Sequence, residues 1–141
     1  MTAAGITADE ERLVDAAKAA RKNAYAAYSG YRVGAALLDE QGRIHSGCNV
    51  ENASFPLGTC AEVNAIGAMV AAGGKRIIAI AAVGGREELE ACTPCGGCGQ
   101  NIQEFADADT RVLLLGADGG IESHSIAALL PLSFRLEVNR E

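Results

Sequence analysis

The chain has 141 residues, 49% of them hydrophobic but only 4% aromatic, and a formal net charge of −6. That length suits one domain with a real core, and the composition asks for packing by Ala, Val, Leu and Ile. The acidic balance, with no run of Lys or Arg, has the wrong sign for gripping a phosphate backbone, so a nucleic-acid polymer is disfavoured and a small-molecule partner is expected.

Residues 1–8 carry neither the basic start nor the apolar stretch of a signal peptide, and no apolar run approaches a membrane span. Five cysteines are an odd number, which argues against a closed disulfide framework. A cytoplasmic location with reduced thiols is the expectation.

Ala-rich helices set against β-branched strands predict an α/β layer fold. The first helix is expected over residues 8–27, opened by Thr7 with Glu10 three positions on, a capping box, and carrying an apolar stripe of Leu13, Ala16, Ala17, Ala20 and Ala24. A strand follows at 33–38, a turn at 39–42 and a returning strand at 43–50. Residues 51–59 read as irregular. A second helix begins near Thr59 or Cys60 and stops at Gly73-Gly74. The apolar run 77–83 predicts a central strand covered on both faces. A polar loop at 84–93 leads to a third helix from Pro94 to near Phe105, a buried strand at 112–115, a turn at 118–120, a short strand, and a last helix at 125–130 halted by Pro131.

Within this frame, Cys60-Ala61-Glu62 and Pro94-Cys95-Gly96-Gly97-Cys98 carry the chemistry. One separated thiolate plus a close pair is a zinc pattern, and three protein ligands leave a tetrahedral position open for water, the mark of a catalytic site. Both ligand groups fall at predicted helix starts, where free N–H groups and the positive dipole end stabilise thiolates. Glu62 lies two residues from the first ligand, near enough to handle protons without binding metal. Pro94 occupies a position whose N–H has no helical partner.

Other readings explain less. A zinc ribbon needs two close Cys pairs, and only one is present. A redox dithiol at Cys95 and Cys98 leaves Cys60 and Glu62 unexplained. Gly73-Gly74-Lys75 is no P-loop, because Arg76 stands where Ser or Thr is needed, and a helix C-cap accounts for it. His45 and His124 read as surface or satisfied histidines. Cys48 and Cys92 read as incidental thiols, with Cys92 close enough to the metal loop to be weighed as a fourth.

At these residues the chain resembles the small zinc-dependent cytidine deaminases, which pair a first Cys and nearby non-ligand Glu with P-C-x-x-C. Tyr28-Ser29-Gly30-Tyr31-Arg32-Val33-Gly34-Ala35-Ala36 is similar to the family's Y-S-x-F-x-V-G-A-A segment. Gly47-Cys48-Asn49-Val50-Glu51-Asn52-Ala53-Ser54-Phe55 is similar to its G-x-N-x-E-N-A-S-[YF] segment. The resemblance implies a three-layer α/β/α fold with a central mixed sheet, forming one catalytic domain over residues 1–141. It also implies Zn²⁺ on Cys60, Cys95 and Cys98. Asn49 and Glu51 then hold ribose hydroxyls, an amide and a carboxylate offering donor and acceptor, although without the family an Asx-type turn explains the pair as well. Tyr31, where the family has Phe, and Phe55 line the pyrimidine pocket. Phe134 matches a C-terminal aromatic that reaches a neighbouring subunit's site in a homotetramer; on residues alone it reads as core.

The implied reaction is hydrolytic deamination of cytidine or deoxycytidine, a step of pyrimidine salvage. Glu62 takes a proton from a zinc-activated water, delivers it to N3 of the cytosine, and later protonates the departing amine, with a backbone carbonyl near Ala61 or Thr93 orienting that group. Two positions depart from the family: Val63 replaces the usual Arg after the catalytic Glu, and Gly99 replaces the Arg of P-C-x-x-C-R-Q. Three thiolates on a dication leave −1, which those cations offset elsewhere. Helix N–H groups, a folded-in Arg86, or a shifted substrate are the alternatives left open. The rival functions are deamination of a modified or antibiotic aminopyrimidine nucleoside, as by blasticidin-S-type deaminases, and a weakly catalytic nucleoside-binding zinc protein.

Overall fold

The computed structural model describes residues 7–138, so the leader reading lies, for residues 1–6, outside the described residues. Helix α1 spans Ala8–Arg21. Its capping box is formed: Thr7 Oγ1 accepts from the Glu10 N–H at 3.2 Å, and Glu10 Oε1 accepts from the Thr7 N–H at 2.9 Å. The helix does not continue to Ala27 as its Ala content predicts. Tyr25 leaves it to bridge Val50, donating its N–H to the Asn49 carbonyl at 3.0 Å and accepting from the Glu51 N–H at 2.9 Å. Tertiary pairing here outweighs local helix propensity.

Five strands follow: β1 (Arg32–Asp39), β2 (Ile44–Cys48), β3 (Ile77–Gly85), β4 (Arg111–Leu115) and β5 (Ile121–Ser125). They lie in the order β2-β1-β3-β4-β5. Only β3 and β4 run parallel; the other neighbours are antiparallel, giving the expected mixed sheet. Strand β2 stops short of the predicted Val50, because Val50 pairs instead with Tyr25 and Thr59. The remaining helices are α2 (Ala61–Ala71), α3 (Gly96–Phe105) and α4 (Ile126–Leu129). Helix α2 ends as predicted, with Gly73 at φ 91° and the Gly74 N–H donating to the Met69 carbonyl at 2.9 Å.

The sheet separates two cores. On one face Leu13, Val14 and Ala17 of α1 pack on Ala79, Ala81 and Val83. On the other, Ala65, Ile66 and Met69 of α2, Ile102 of α3 and Ile126 of α4 pack on Leu37, Ile80 and Ala82. Successive β3 residues alternate between the two clusters, which is why its sequence reads as an unbroken apolar run. Two glycines set how closely the helices approach. A Cβ on Gly34 would lie 2.0 Å from the Ala17 carbonyl oxygen, and one on Gly47 would lie 2.6 Å from the Ala65 nitrogen and 2.8 Å from the Ala61 oxygen. Gly47 therefore fixes the start of α2 against β2.

At the far end of β1, Asp39 is 1% exposed. Its carboxylate meets His45 Nε2 at 2.8 Å and accepts from Arg43 Nε at 2.9 Å and from the N–H groups of Gln41 and Arg43. His45 is thus a satisfied structural histidine, and His124 lies 3.0 Å from Glu122 Oε1.

Candidate active site

The metal-type residues sit where two helices begin beyond the carboxyl end of β3, the edge at which open α/β sheets bind ligands. Cys60 is the N-cap of α2 and Cys95 the N-cap of α3, both with extended backbone. Each helix starts slightly later than predicted, so these two cysteines cap their helices rather than lying within them. Unpaired first-turn N–H groups then face the sulfurs. The Cys98 N–H donates to Cys95 Sγ at 3.4 Å.

The sulfurs of Cys60, Cys95 and Cys98 all lie within 4.8 Å of one another. Zinc at about 2.3 Å from each would hold tetrahedral sulfurs roughly 3.8 Å apart, so small rotations close the set. The electrostatics also fit a cation. Backbone N–H donation, first from Cys98, lowers the Cys95 pKa. Desolvation raises Cys60, and burial followed by the nearby Glu62 charge raises Cys98. Cys60 and Cys98 thus resist ionisation unless a dication sits among the sulfurs, whereas Cys95 is already favoured as a thiolate.

Glu62 lies in the first turn of α2 and is 5% exposed. Burial lifts its pKa above the ordinary carboxylate value, opposed by hydrogen bonds from its own backbone and from Cys98. Buried carboxyls held above their usual pKa are suited to carrying protons.

A cavity of about 370 Å³ opens on this cluster. One wall is Cys60, Ala61 and Glu62; a second is Cys92, Thr93, Cys95 and Cys98; Tyr31, Asn49, Glu51 and Phe55 complete it. All the predicted site residues except Phe134 therefore meet in one place. Phe134 is 68% exposed and lies on the C-terminal segment, where its carbonyl accepts from Gln100 Nε2 at 2.9 Å.

Asn49 and Glu51 have structural partners as well. Asn49 Oδ1 accepts from the Val33 N–H at 2.8 Å while its Nδ2 donates to the Tyr31 carbonyl at 2.9 Å. Glu51 Oε1 accepts from the N–H groups of Tyr28 and Ser29, and Oε2 accepts from the Ser29 hydroxyl. These bonds lower the Glu51 pKa, the Ser29 hydroxyl contributing most. Each group keeps unused capacity: one N–H on Asn49, and further lone pairs on both.

Arg86 does not fold onto the sulfurs. Its Nε reaches the Ser29 carbonyl at 3.5 Å, and among the described residues lining the cavity there is no Lys or Arg. Gly99 lies buried beneath Leu130, whose side-chain atoms are 3.6–3.9 Å from where its Cβ would be. Cys92 stands outside the three-sulfur group but lines the cavity. Its place on the cavity wall was not legible in the sequence, because the loop that delivers it has no periodic pattern; proximity to Pro94-Cys95 was the one available signal. Val33 and Val50, which lie within the two family-like segments, also line the cavity, as do Gly58 and Thr59, which fall outside any motif.

Three convergent sulfurs beside a buried carboxyl, on the strand-end edge of an α/β/α sandwich, define the class of zinc-dependent hydrolases. Residues 7–114 match the cytidine and deoxycytidylate deaminase zinc-binding region. The cytidine deaminase of Sporosarcina psychrophila is 41% identical over 129 residues, covering 92% of this chain and 93% of that protein. The crystal structure of cytidine deaminase from Burkholderia pseudomallei superposes with a TM-score of 0.80 at 41% identity, over 92% of this chain and all of that one (100%). That of Mycobacterium tuberculosis also gives 0.80, at 35% identity and 92% and 100% coverage. The chain belongs to the cytidine and deoxycytidylate deaminase zinc-binding family.

Proposed function

We propose that this protein hydrolyses cytidine or deoxycytidine to uridine or deoxyuridine and ammonia. The observation that carries the reading is the shared cavity: the buried Glu62 carboxyl lies with the sulfurs of Cys60, Cys95 and Cys98 in one pocket of nucleoside size. Its relatives named as cytidine deaminases support the same chemistry.

Cys60, Cys95 and Cys98 would hold zinc, which when bound supplies a Lewis acid and an open position for a water. Glu62 does the proton work. It takes a proton from the attacking water and delivers it to N3 of the cytosine, which makes C4 electrophilic as the water oxygen adds there. It then passes the second proton to the C4 amino group, the C–N bond breaks, and ammonia leaves with the C4 carbonyl formed. A backbone carbonyl near Ala61 or Thr93, both of which line the cavity, orients the amine. The spare capacity of Asn49 and Glu51 binds ribose hydroxyls, while Tyr31 and Phe55 face the pyrimidine. The absence of a cation in the wall favours a neutral nucleoside over a nucleotide.

The protein acts in this reading as a single catalytic domain in the cytoplasm, in pyrimidine salvage. It assembles as a homotetramer in which Phe134 of one copy closes the cavity of the next. Exposed Phe55, Leu132, Phe134 and Leu136 supply apolar surface for such contacts. No helix of the described residues is long and apolar enough to cross a membrane.

The test is ammonia release from cytidine, deoxycytidine, adenosine and antibiotic aminopyrimidine nucleosides. Turnover of cytidine or deoxycytidine supports the reading. Turnover confined to the antibiotic analogues replaces it with a modified-nucleoside deaminase, and zinc-loaded protein that binds nucleosides without releasing ammonia replaces it with a binding module.

A further inference from the structure

The turn ahead of β1 closes over the segment that follows β2. Tyr25 is paired between the Asn49 carbonyl and the Glu51 N–H. Further on, the Gly30 N–H donates to the Ala26 carbonyl at 2.9 Å, with Gly30 at φ 72°, a conformation that favours glycine. The Tyr28 and Phe55 rings meet edge to face, their centroids 6.1 Å apart. Residues 28 and 29 are thereby laid against the side chain of Glu51.

Three donors of the turn reach that one carboxylate. Glu51 Oε1 accepts from the Tyr28 N–H at 2.8 Å and the Ser29 N–H at 3.0 Å, and Oε2 accepts from the Ser29 hydroxyl. Ser29 Oγ in turn accepts from the Tyr31 N–H at 2.9 Å. The direction of this chain is fixed, because a backbone N–H can only donate and the serine proton is left for the carboxylate. The same bonds, the Ser29 hydroxyl first, hold the Glu51 carboxyl below its ordinary pKa, so it is an ionised acceptor at neutral pH. A carboxylate has about four acceptor positions. Both on Oε1 and one on Oε2 are taken, which leaves one, on Oε2. Glu51 lines the cavity that holds the sulfurs, whereas Ser29 lies in an adjoining hollow with Tyr28, Asn52 and Phe55.

We infer that Ser29 is a positioning residue for the sugar: its hydroxyl ties Glu51 Oε2 to the Tyr31 peptide, so that a single acceptor is held ready for a ribose hydroxyl beside the pyrimidine wall. The two N–H groups on Oε1 anchor one oxygen of the carboxylate but leave the group free to swivel about it. The Ser29 bond fixes the second oxygen and with it the plane of the carboxylate. The Tyr31 peptide is bonded at both ends, its N–H to Ser29 and its carbonyl to Asn49 Nδ2 at 2.9 Å. Both residues read as gripping the sugar are therefore tied to the same peptide, one of them through Ser29. Because Ser29 lies outside the cavity that holds Glu62 and the sulfurs, it acts on nucleoside binding rather than on proton transfer. This inference rests on the deaminase reading above.

The test is steady-state kinetics with cytidine on the zinc-loaded full chain, comparing wild type, Ser29→Ala, Ser29→Thr, Glu51→Gln and the Ser29→Ala/Glu51→Gln double variant. Loss of one net hydrogen bond predicts a roughly threefold to tenfold rise in KM for Ser29→Ala with kcat nearly unchanged. Threonine keeps the hydroxyl, and the exposed position has room for its methyl group, so Ser29→Thr should stay near wild type. Glu51→Gln keeps the oxygen that takes the two N–H groups and puts an amide nitrogen, which cannot accept, in place of Oε2. On that background Ser29→Ala should add little. A serine acting through Tyr31 alone, or through general packing, would raise KM by the same factor in both backgrounds. Additive effects, an unchanged KM for Ser29→Ala, a kcat loss as large as the KM change, or a Ser29→Thr variant as weak as alanine overturns the inference. If Ser29→Ala does not fold, Ser29→Cys takes its place, since a thiol donates and accepts only weakly, and the same outcomes decide. Wild-type protein that turns over no cytidine overturns the deaminase reading and this inference together, whereas an active wild type with additive variants overturns the inference alone.

Discussion

The backbone N–H of Cys98 points at the sulfur of Cys95, 3.4 Å away, so the first turn of α3 neutralises part of the charge on one of its own metal ligands. It is one source of compensation in a site where positions 63 and 99 carry no arginine. It is built from backbone, and no side-chain substitution removes it. What side chains control is the number of sulfurs. Elemental analysis of the purified protein should find close to one zinc per chain, and Cys95→Ser should lose most of it, since a hydroxyl is a far poorer soft-metal ligand than a thiolate. Fully active protein free of metal would refute the zinc assignment.

Glu62→Gln keeps the side chain's shape but cannot carry a proton. Because the carboxyl is buried and is not one of the three sulfur ligands, zinc content should stay near wild type. Turnover should fall by roughly 10²–10⁴-fold, the usual span for loss of general acid–base catalysis. Near-normal turnover at full zinc occupancy would assign the proton transfers to a different group.

The sugar can be tested by removing it. If Asn49 and Glu51 grip ribose hydroxyls, free cytosine should be a far poorer substrate than cytidine, by a factor corresponding to roughly 1–3 kcal/mol for each polar group left unsatisfied. Both residues already serve as struts, Asn49 to Val33 and Tyr31 and Glu51 to Tyr28 and Ser29. Asn49→Ala should therefore lower the melting temperature as well as the affinity. Equal kcat/KM values for cytosine and cytidine would leave these residues a purely structural role.

The mixture of site and strut explains what was legible in the sequence. Cys60, Glu62, Cys95 and Cys98 were readable because metal and proton chemistry tolerate few residue types at fixed spacing. The apolar run of β3 and the Thr7–Glu10 capping box were readable because both are local patterns. The end of α1 was not, because Tyr25 is pulled out by a partner 25 residues away at Val50, and local propensity carries no signal of that pairing. Nor were the place of Cys92 on the cavity wall and the strut bonds of Asn49 and Glu51, which depend on how the loops return over the sheet. Gly34 and Gly47 looked like family motif letters; the structure shows them as the points where α1 and α2 touch the sheet.

Restoring a cation beside the sulfurs should have different results at the two candidate positions. Gly99 is covered by Leu130, with ordinary contact distances of 3.6–3.9 Å to an added Cβ. Gly99→Ala should therefore be tolerated and gain up to about 1 kcal/mol from helix propensity, while Gly99→Arg must displace Leu130 and should lower the melting temperature. Val63 is half-buried in the first turn of α2, and Val63→Arg should hold zinc more tightly in competition with a chelator, because a nearby cation stabilises the anionic cluster. Unchanged zinc retention with the fold intact would mean that the helix N–H groups already suffice.

The last expectation lies at the opposite end of β1 from the site and concerns stability in acid. Burial of Asp39 by itself would raise its pKa, but the bonds from His45, from the N–H groups of Arg43 and Gln41, and from the Arg43 side chain outweigh it and hold the carboxyl at about 2, against 3.8 for the unperturbed group. A pKa lowered in the folded state stabilises the protein above the unfolded value and loses that contribution as pH falls through the folded one. The contribution, roughly 2 kcal/mol at 1.36 kcal/mol per unit, should be complete at neutral pH and disappear between about pH 4 and pH 2. Asp39→Asn removes the charge and turns an amide N–H toward donors, so it should be less stable than wild type at pH 7. Zinc release in acid affects both proteins equally, so the difference between their urea unfolding free energies isolates Asp39. That difference should narrow as pH drops from 4 to 2, and a gap that stays constant over this window would show that the carboxylate's bonds to Arg43 and His45 add nothing beyond packing.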